Sequence, residues 1–252
     1  MKTFIALVAV LALLGAAPAA RSQEEQEEPT ITRAINPEAL LLYNQGLRLE
    51  KRGKFQDAAQ AFQKAVGLQP NYGEAYHHLG LAYARLGQYA RAVEAFKTTV
   101  SLQPRWVAAH ENLGVALSKQ GEWNAARAEF QEAVRLKPDR AEAYYLLGLA
   151  WGKLDRHREA MEAFAKAVKL KPDSLKAQKN LGMAYVKLGR WQDAGRAFKK
   201  AVSLKKDDPE ARYGLCAYYV QVGDREAAAR EYQVLKRLDP QLARKLAELL
   251  QK

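Results

Sequence analysis

The sequence predicts an all-α chain of stacked helical hairpins, and three observations carry that prediction. The first is a period of 34 residues: Gly46, Gly80, Gly114, Gly148 and Gly182 recur in step, with Cys216 in the sixth place. Ala58, Ala92, Ala126, Ala160, Ala194 and Ala228 keep the same step, as do the rings Phe62, Phe96, Phe130, Phe164, Phe198 and Tyr232. A fixed period of this length means one supersecondary unit copied and stacked, not a single globular core. The second observation is apolar spacing. Tyr76, Leu79, Gly80 and Tyr83 fall at i, i+3, i+4 and i+7, and Ala92, Phe96, Thr99 and Val100 form a second stripe. The third is punctuation: Gly87 separates those stripes and Pro104 ends the second, with Gly53, Gly121, Gly189, Gly223 and Pro70, Pro138, Pro172, Pro240 repeating the pattern.

Taken from its start, the chain opens with Lys2, an apolar run from Phe4 to Leu14 and the small residues Ala17-Pro18-Ala19. This reads as a secretory signal peptide over 1–19, cleaved after Ala19; the run is short for a membrane anchor. Residues 20–38 form an acidic, polar linker with Glu24, Glu25, Glu27 and Glu28, expected to be disordered. Asn36 then caps a helix with Pro37 at its first position. The repeats occupy 39–242. After Pro240, Leu242, Leu246, Leu249 and Leu250 share one face, so 241–252 is read as a capping helix over the last repeat. Two irregularities stand out. Asp155 replaces the turn glycine once, a strained choice, and proline is displaced to Pro209 after Lys205-Lys206-Asp207-Asp208, which predicts a soft junction before the last repeat.

These residues resemble the tetratricopeptide repeat (TPR) family, whose unit is a helix, a tight turn and a second helix. The frames run 39–72, 73–106, 107–140, 141–174, 175–208 and 209–242. The resemblance implies a right-handed α-α superhelix, a TPR solenoid of six helical hairpins with the capping helix behind it. It implies no single activity, since one repeat fold serves many roles.

Catalytic motifs for phosphate cradling, nucleophilic attack or metal binding do not appear, so the chain is read as a non-enzyme with no cofactor and no metal. His77 and His78 are adjacent and point to different sides of one helix, His110 and His157 occupy packing positions, and Cys216 reads as a buried filler. The four tryptophans, Trp106, Trp123, Trp151 and Trp191, fall in or beside packing positions.

Charge is uneven. The chain carries +12; without Lys2 and without residues 20–38, which carry −3, the repeat array holds +14. That implies an anionic partner, and for an exported protein an acidic protein segment or anionic envelope polymer rather than nucleic acid. The acidic run Glu24 to Glu28 could act as a weak competitor for the first repeats, with a solvated spacer as the plain alternative.

In the family resembled, first helices line a groove through positions 2, 5, 6, 9, 12 and 13 of the frame. The resemblance therefore implies a partner-binding groove of Tyr43, His77, Tyr145, Lys179 and Tyr213 at position 5 and Asn44, Asn112 and Asn180 at position 6. Leu81, Leu149 and Met183 stand at position 9 and Arg85, Lys119, Lys153 and Lys187 at position 13. An extended peptide with apolar residues between Asp or Glu would match this surface. The expectation is thus an exported, periplasmic or extracellular protein–protein interaction scaffold of an envelope assembly or secretion system. The alternatives are a binder of anionic cell-surface polymer and an accessory subunit of a transferase complex.

Overall fold

A computed structural model describes residues 35–250, with side chains to residue 248. The signal-peptide reading and the acidic run Glu24 to Glu28 lie outside the described residues. Those described form thirteen α-helices and fall into two compact units, ending and beginning at Asp139 and Arg140. The N-terminal unit holds α1 (Pro37–Lys51), α2 (Phe55–Leu68), α3 (Gly73–Arg85), α4 (Tyr89–Leu102), α5 (Val107–Lys119) and α6 (Trp123–Leu136). The C-terminal unit holds α7 (Ala141–Lys153), α8 (His157–Leu170), α9 (Leu175–Lys187), α10 (Trp191–Leu204), α11 (Pro209–Gln221), α12 (Arg225–Leu238) and α13 (Pro240–Leu250). Each consecutive pair from α1 is one hairpin, and there is no strand among the described residues.

Local chemistry sets the helix ends. Asn36 Oδ1 accepts from the Glu38 and Ala39 amides at 2.9 and 3.3 Å, with Pro37 at the first position. The helix therefore starts two residues ahead of the first repeat frame. Within the hairpins the turn needs a left-handed residue, and Asp155 supplies it at φ 57° where the other five turns use glycine.

The two helices of a hairpin touch because a ring lies where a side chain would be. A Cβ built on Gly114 would stand 2.5 Å from Phe130 Cε1, and Gly46, Gly80, Gly148 and Gly182 meet their own phenylalanines in the same way. In the sixth hairpin the match changes: Cys216 replaces the glycine, donates its Sγ–H to the Ala228 carbonyl at 3.3 Å, and faces Tyr232, which is only half-buried. Burial, with the Glu231 charge adding to it, pushes that thiol up to about 12.

A second recurring device joins successive repeats. At position 4, His110 Nε2 donates to the Pro104 carbonyl at 2.9 Å, Gln178 Nε2 to Pro172 at 3.2 Å and Arg212 Nε to Lys206 at 2.7 Å. His110 and Arg212 also engage Glu129 and Glu231 on the second helix of their own hairpin. The predicted soft junction is therefore tied down. Asp208 caps α11 through the Ala211 amide at 2.9 Å, Lys179 reaches Asp208 at 3.1 Å and Glu210 at 2.6 Å, and Arg212 holds the loop carbonyl. Beyond it, α13 buries Leu242, Ala243 and Leu246 against Tyr213, Cys216 and Leu235.

Two alanine substitutions in the N-terminal unit should act in opposite directions. Gly114→Ala forces its methyl into the Phe130 ring and should cost about 1–3 kcal/mol. Gly67→Ala meets no atom within 4 Å and should gain about 0.5–1 kcal/mol from helix propensity. Urea denaturation followed by circular dichroism reads both.

Candidate partner-binding faces

The first helices of each unit carry the predicted groove positions, and position 5 behaves differently from the expectation that it would offer handles to a ligand. His77, Tyr145 and Tyr213 are buried, and Tyr43 and Lys179 are half-buried. Each of three makes a specific contact with position 34, at the end of its own repeat. Tyr43 packs on Tyr72 with ring centroids 5.0 Å apart, His77 on Trp106 at 4.2 Å, and Lys179 pairs with Asp208. Position 5 thus closes the joint to the next hairpin. The sequence carried the signal, in the matched couples Tyr/Tyr, His/Trp and Lys/Asp.

His77 is the most enclosed of these. Asn112 Nδ2 donates toward its Nε2 at 3.4 Å, which leaves the neutral ring's proton on Nδ1, buried and without a partner. Burial, and then the neighbouring His78, lower its pKa to about 3. Burial acts the same way on the phenols, raising Tyr145 and Tyr213 to about 12, so neither ionises near neutrality. His110 is the opposite case. Burial alone would lower its pKa, but hydrogen bonds to the Glu129 carboxylate and the Pro104 carbonyl, with the charge of Glu129, raise it.

What stays open on the first-helix face is a row at position 9 and an edge at position 13. In the N-terminal unit Leu47, Leu81 and Val115 are half-buried, Asn44 is exposed, and Lys51, Arg85 and Lys119 are exposed beside them. In the C-terminal unit Leu149, Met183 and Lys187 are half-buried and Lys153 is exposed. Asn180 spends its amide on the Lys176 carbonyl at 2.9 Å, and Lys176 pairs with Glu142 at 2.6 Å while lying 4.5 Å from the Tyr145 ring centroid.

The face is also less positive than the chain. In the N-terminal unit its positions hold Glu50, Glu74 and Glu111 against Lys51, Arg85 and Lys119, a balance. In the C-terminal unit Lys153, Lys176, Lys179 and Lys187 stand against Glu142 and Glu210, or +2. Yet residues 140–252 carry 24 Lys and Arg against 14 Asp and Glu, or +10, while 35–139 carry 13 against 10, or +3. Most of the excess lies elsewhere. No group of His, Cys, Asp and Glu among the described residues could hold a metal ion, and no described helix is long and apolar enough to cross a membrane.

Comparison with known proteins places the chain. The family model described as "Cilia and flagella-associated protein 70 C-terminal domain", a TPR model, matches residues 6–248. The chain belongs to this tetratricopeptide repeat family. Solved structures agree. MamA from Desulfovibrio magneticus is 30% identical with a TM-score of 0.66, the match covering 69% of this chain and 99% of that one. PilF of Pseudomonas aeruginosa is 19% identical with a TM-score of 0.72, covering 86% and 99%, and so speaks for the fold alone. YrrB, whose title calls it "a TPR protein with an unusual peptide-binding site", is 20% identical with a TM-score of 0.65, covering 75% and 99%. None of the curated proteins matches the chain.

The two buried histidines should bound the pH range of stability from opposite sides. His77, with its folded pKa below the unfolded value, contributes stability above about pH 6.5 that is lost on acidification, about 2 kcal/mol by pH 5. His110, with its pKa raised on folding, contributes stability that is full below about pH 6.5 and lost as pH rises through the folded value. Urea midpoints measured across pH should show the acid limb flattened by His77→Tyr, the residue used at position 5 in three other repeats. His110→Gln, the residue of the fifth repeat, should flatten the alkaline limb.

Proposed function

We propose that this TPR chain is a non-enzymatic, exported interaction scaffold that holds an extended segment of a protein partner along the first-helix face. The observation that carries the reading is the open row in the N-terminal unit: Leu47, Leu81 and Val115 half-buried, with exposed Lys51, Arg85 and Lys119 along one side. A preorganised row of this kind loses little entropy on binding, and repeated side-chain spacing suits a peptide with apolar residues interleaved with acidic ones. Asn44 and Asn112 would bond the peptide backbone, Leu81 would seat its apolar residues and Arg85 and Lys119 would meet its carboxylates. In the C-terminal unit Leu149, Met183, Lys153 and Lys187 would do the same. Position 5 (Tyr43, His77, Tyr145, Lys179, Tyr213) would act from behind, by fixing the face that the peptide meets.

Export rests on the leader-like residues 1–19, and an envelope assembly or secretion system is the setting that such a scaffold fits. Sequencing the N-terminus of the chain recovered from a bacterial periplasm tests this; a start at Ala20 supports export, and an intact Met1 in the cytosol ends it.

Selection of the full chain against a random peptide library tests the face. Peptides alternating apolar and acidic residues should be enriched, and Leu81→Asp with Arg85→Glu should weaken the selected peptide by at least about tenfold while leaving the circular dichroism unchanged. Enrichment of no motif, or a motif indifferent to both changes, would remove the reading.

A further inference from the structure

The charge that the first-helix faces lack is found on the second helices of the C-terminal unit. Positions 25, 26 and 29 of a repeat look outward from the second helix, and the loop after it follows at 31 and 32. Apart from Asp239, the charged residues at these places in the C-terminal unit are Lys166, Lys169 and Lys171, then Lys199, Lys200, Lys205 and Lys206, then Arg237 with Lys236 beside it. All of these bases are exposed, and none makes an ion pair among the described residues. The equivalent places of the N-terminal unit hold fewer bases, Lys64, Lys97, Arg135 and Lys137 against Glu132. Arg135 pairs with Glu132 at 2.5 Å and Lys97 with Glu94 at 3.1 Å, leaving Lys64 and Lys137. One lysine in the last turn of each helix is accounted for by the helix dipole. Two to four unpaired bases per repeat, in the C-terminal unit only, are not.

The band has an edge. Toward the start of the same helices most of the bases are spent on acids, Arg156 on Glu159, Arg190 and Arg196 on Asp193, and Arg230 on Glu226, while Arg158 and Arg225 stand exposed among them. The unpaired bases therefore form a strip running from repeat to repeat, bordered by a largely neutralised row. Part of the strip is held in place. Lys199 Nζ lies 5.4 and 5.3 Å from the Tyr218 and Tyr219 ring centroids of the next repeat, and Lys166 lies 5.8 Å from that of Tyr144. A ring beneath an ammonium group orders the side chain and leaves its far side to solvent.

We propose that this strip is a second binding face, taking an extended acidic polypeptide segment across the second helices of the C-terminal unit. A narrow strip beside a largely neutralised row fits a strand of carboxylates better than a broad anionic surface, which would lie over the acidic residues as well. The bases are mostly lysines, point charges that impose no bidentate geometry, so recognition is by charge density and spacing. The scaffold would then hold two segments on two faces, one read by its apolar residues and one by its charge. The second face does not depend on the first.

Fluorescence anisotropy of labelled poly-L-glutamate with the full chain tests it. Binding should weaken steeply as salt rises from about 50 to 300 mM. The variant Lys166→Glu, Lys169→Glu, Lys199→Glu, Lys200→Glu should bind at least about tenfold more weakly. A control with the same charge change, Arg52→Glu, Lys54→Glu, Lys64→Glu, Arg105→Glu, should lose less than about threefold. Equal losses in the two variants would reduce the effect to net charge and overturn the strip. Binding to anionic phospholipid vesicles without binding to poly-L-glutamate would overturn the choice of a strand. The four-lysine variant should still bind the library-selected peptide within about threefold of the parent chain, so failure of the first-helix face and failure of the strip are read separately.

Discussion

The whole architecture depends on one contact, a phenyl ring seated on bare backbone. Where Gly80 meets Phe96, a built Cβ would stand 2.6 Å from ring carbon Cε1. No side chain fits there, so the distance between the two helices of the hairpin is set by the thickness of the ring. That distance determines where positions 5 and 9 of the first helix stand relative to the next hairpin, and a solenoid made of copies inherits any error in it. The sixth hairpin shows the consequence. With Cys216 in place of glycine its ring is only half-buried, and α13 supplies the burial that a seventh repeat would have given, through Leu242 and Leu246.

The hairpins were legible because their signals are local and repeated six times. Asn36 and Pro37 read as a helix start, the glycines read as turns, and Asp155 read as the strained exception; each is where the structure places it. The joints between repeats were legible only in part, because their residues vary in kind while conserving a pairing. Position 5 with position 34 is two phenols, then imidazole on indole, then ammonium with carboxylate, and a reading one column at a time sees an aromatic handle or a stray lysine. The junction at Lys206 was misread for the same reason. A proline displaced to Pro209 suggested looseness, but that shift puts Asp208 at the helix cap, where it also meets Lys179.

The two units solve the joint problem with different chemistry. In the N-terminal unit rings do the work: Tyr43, Tyr72, Phe62, His78, His77, Phe96 and Trp106 form a continuous chain of contacts. In the C-terminal unit ions do more of it, through Lys176 with Glu142 and Lys179 with Asp208 and Glu210. Lys179 is the telling case, with its side chain 17% exposed and that of Asp208 9% exposed. Separating a pair at that depth strands a charge, so the pair specifies register more than it adds stability.

Net charge by itself therefore does not locate a surface. A total of +14 over the repeats implied an anionic partner, yet the groove positions are balanced in one unit and only +2 in the other. The reason is structural. First-helix charges beside a joint are matched there, as Lys179 is by Asp208 and Glu210, because an unmatched charge near a packed joint costs the fold. Lys51, Arg85 and Lys119, by contrast, stand exposed at the edge. Outward positions of the second helices bear no such constraint, and a charge placed there costs little. Selection for a partner is free to act on that face without disturbing the stack. The lysines of α8 and α10 stand exposed where the stack places no demand on them, so their charge is available to a partner at little cost to the fold.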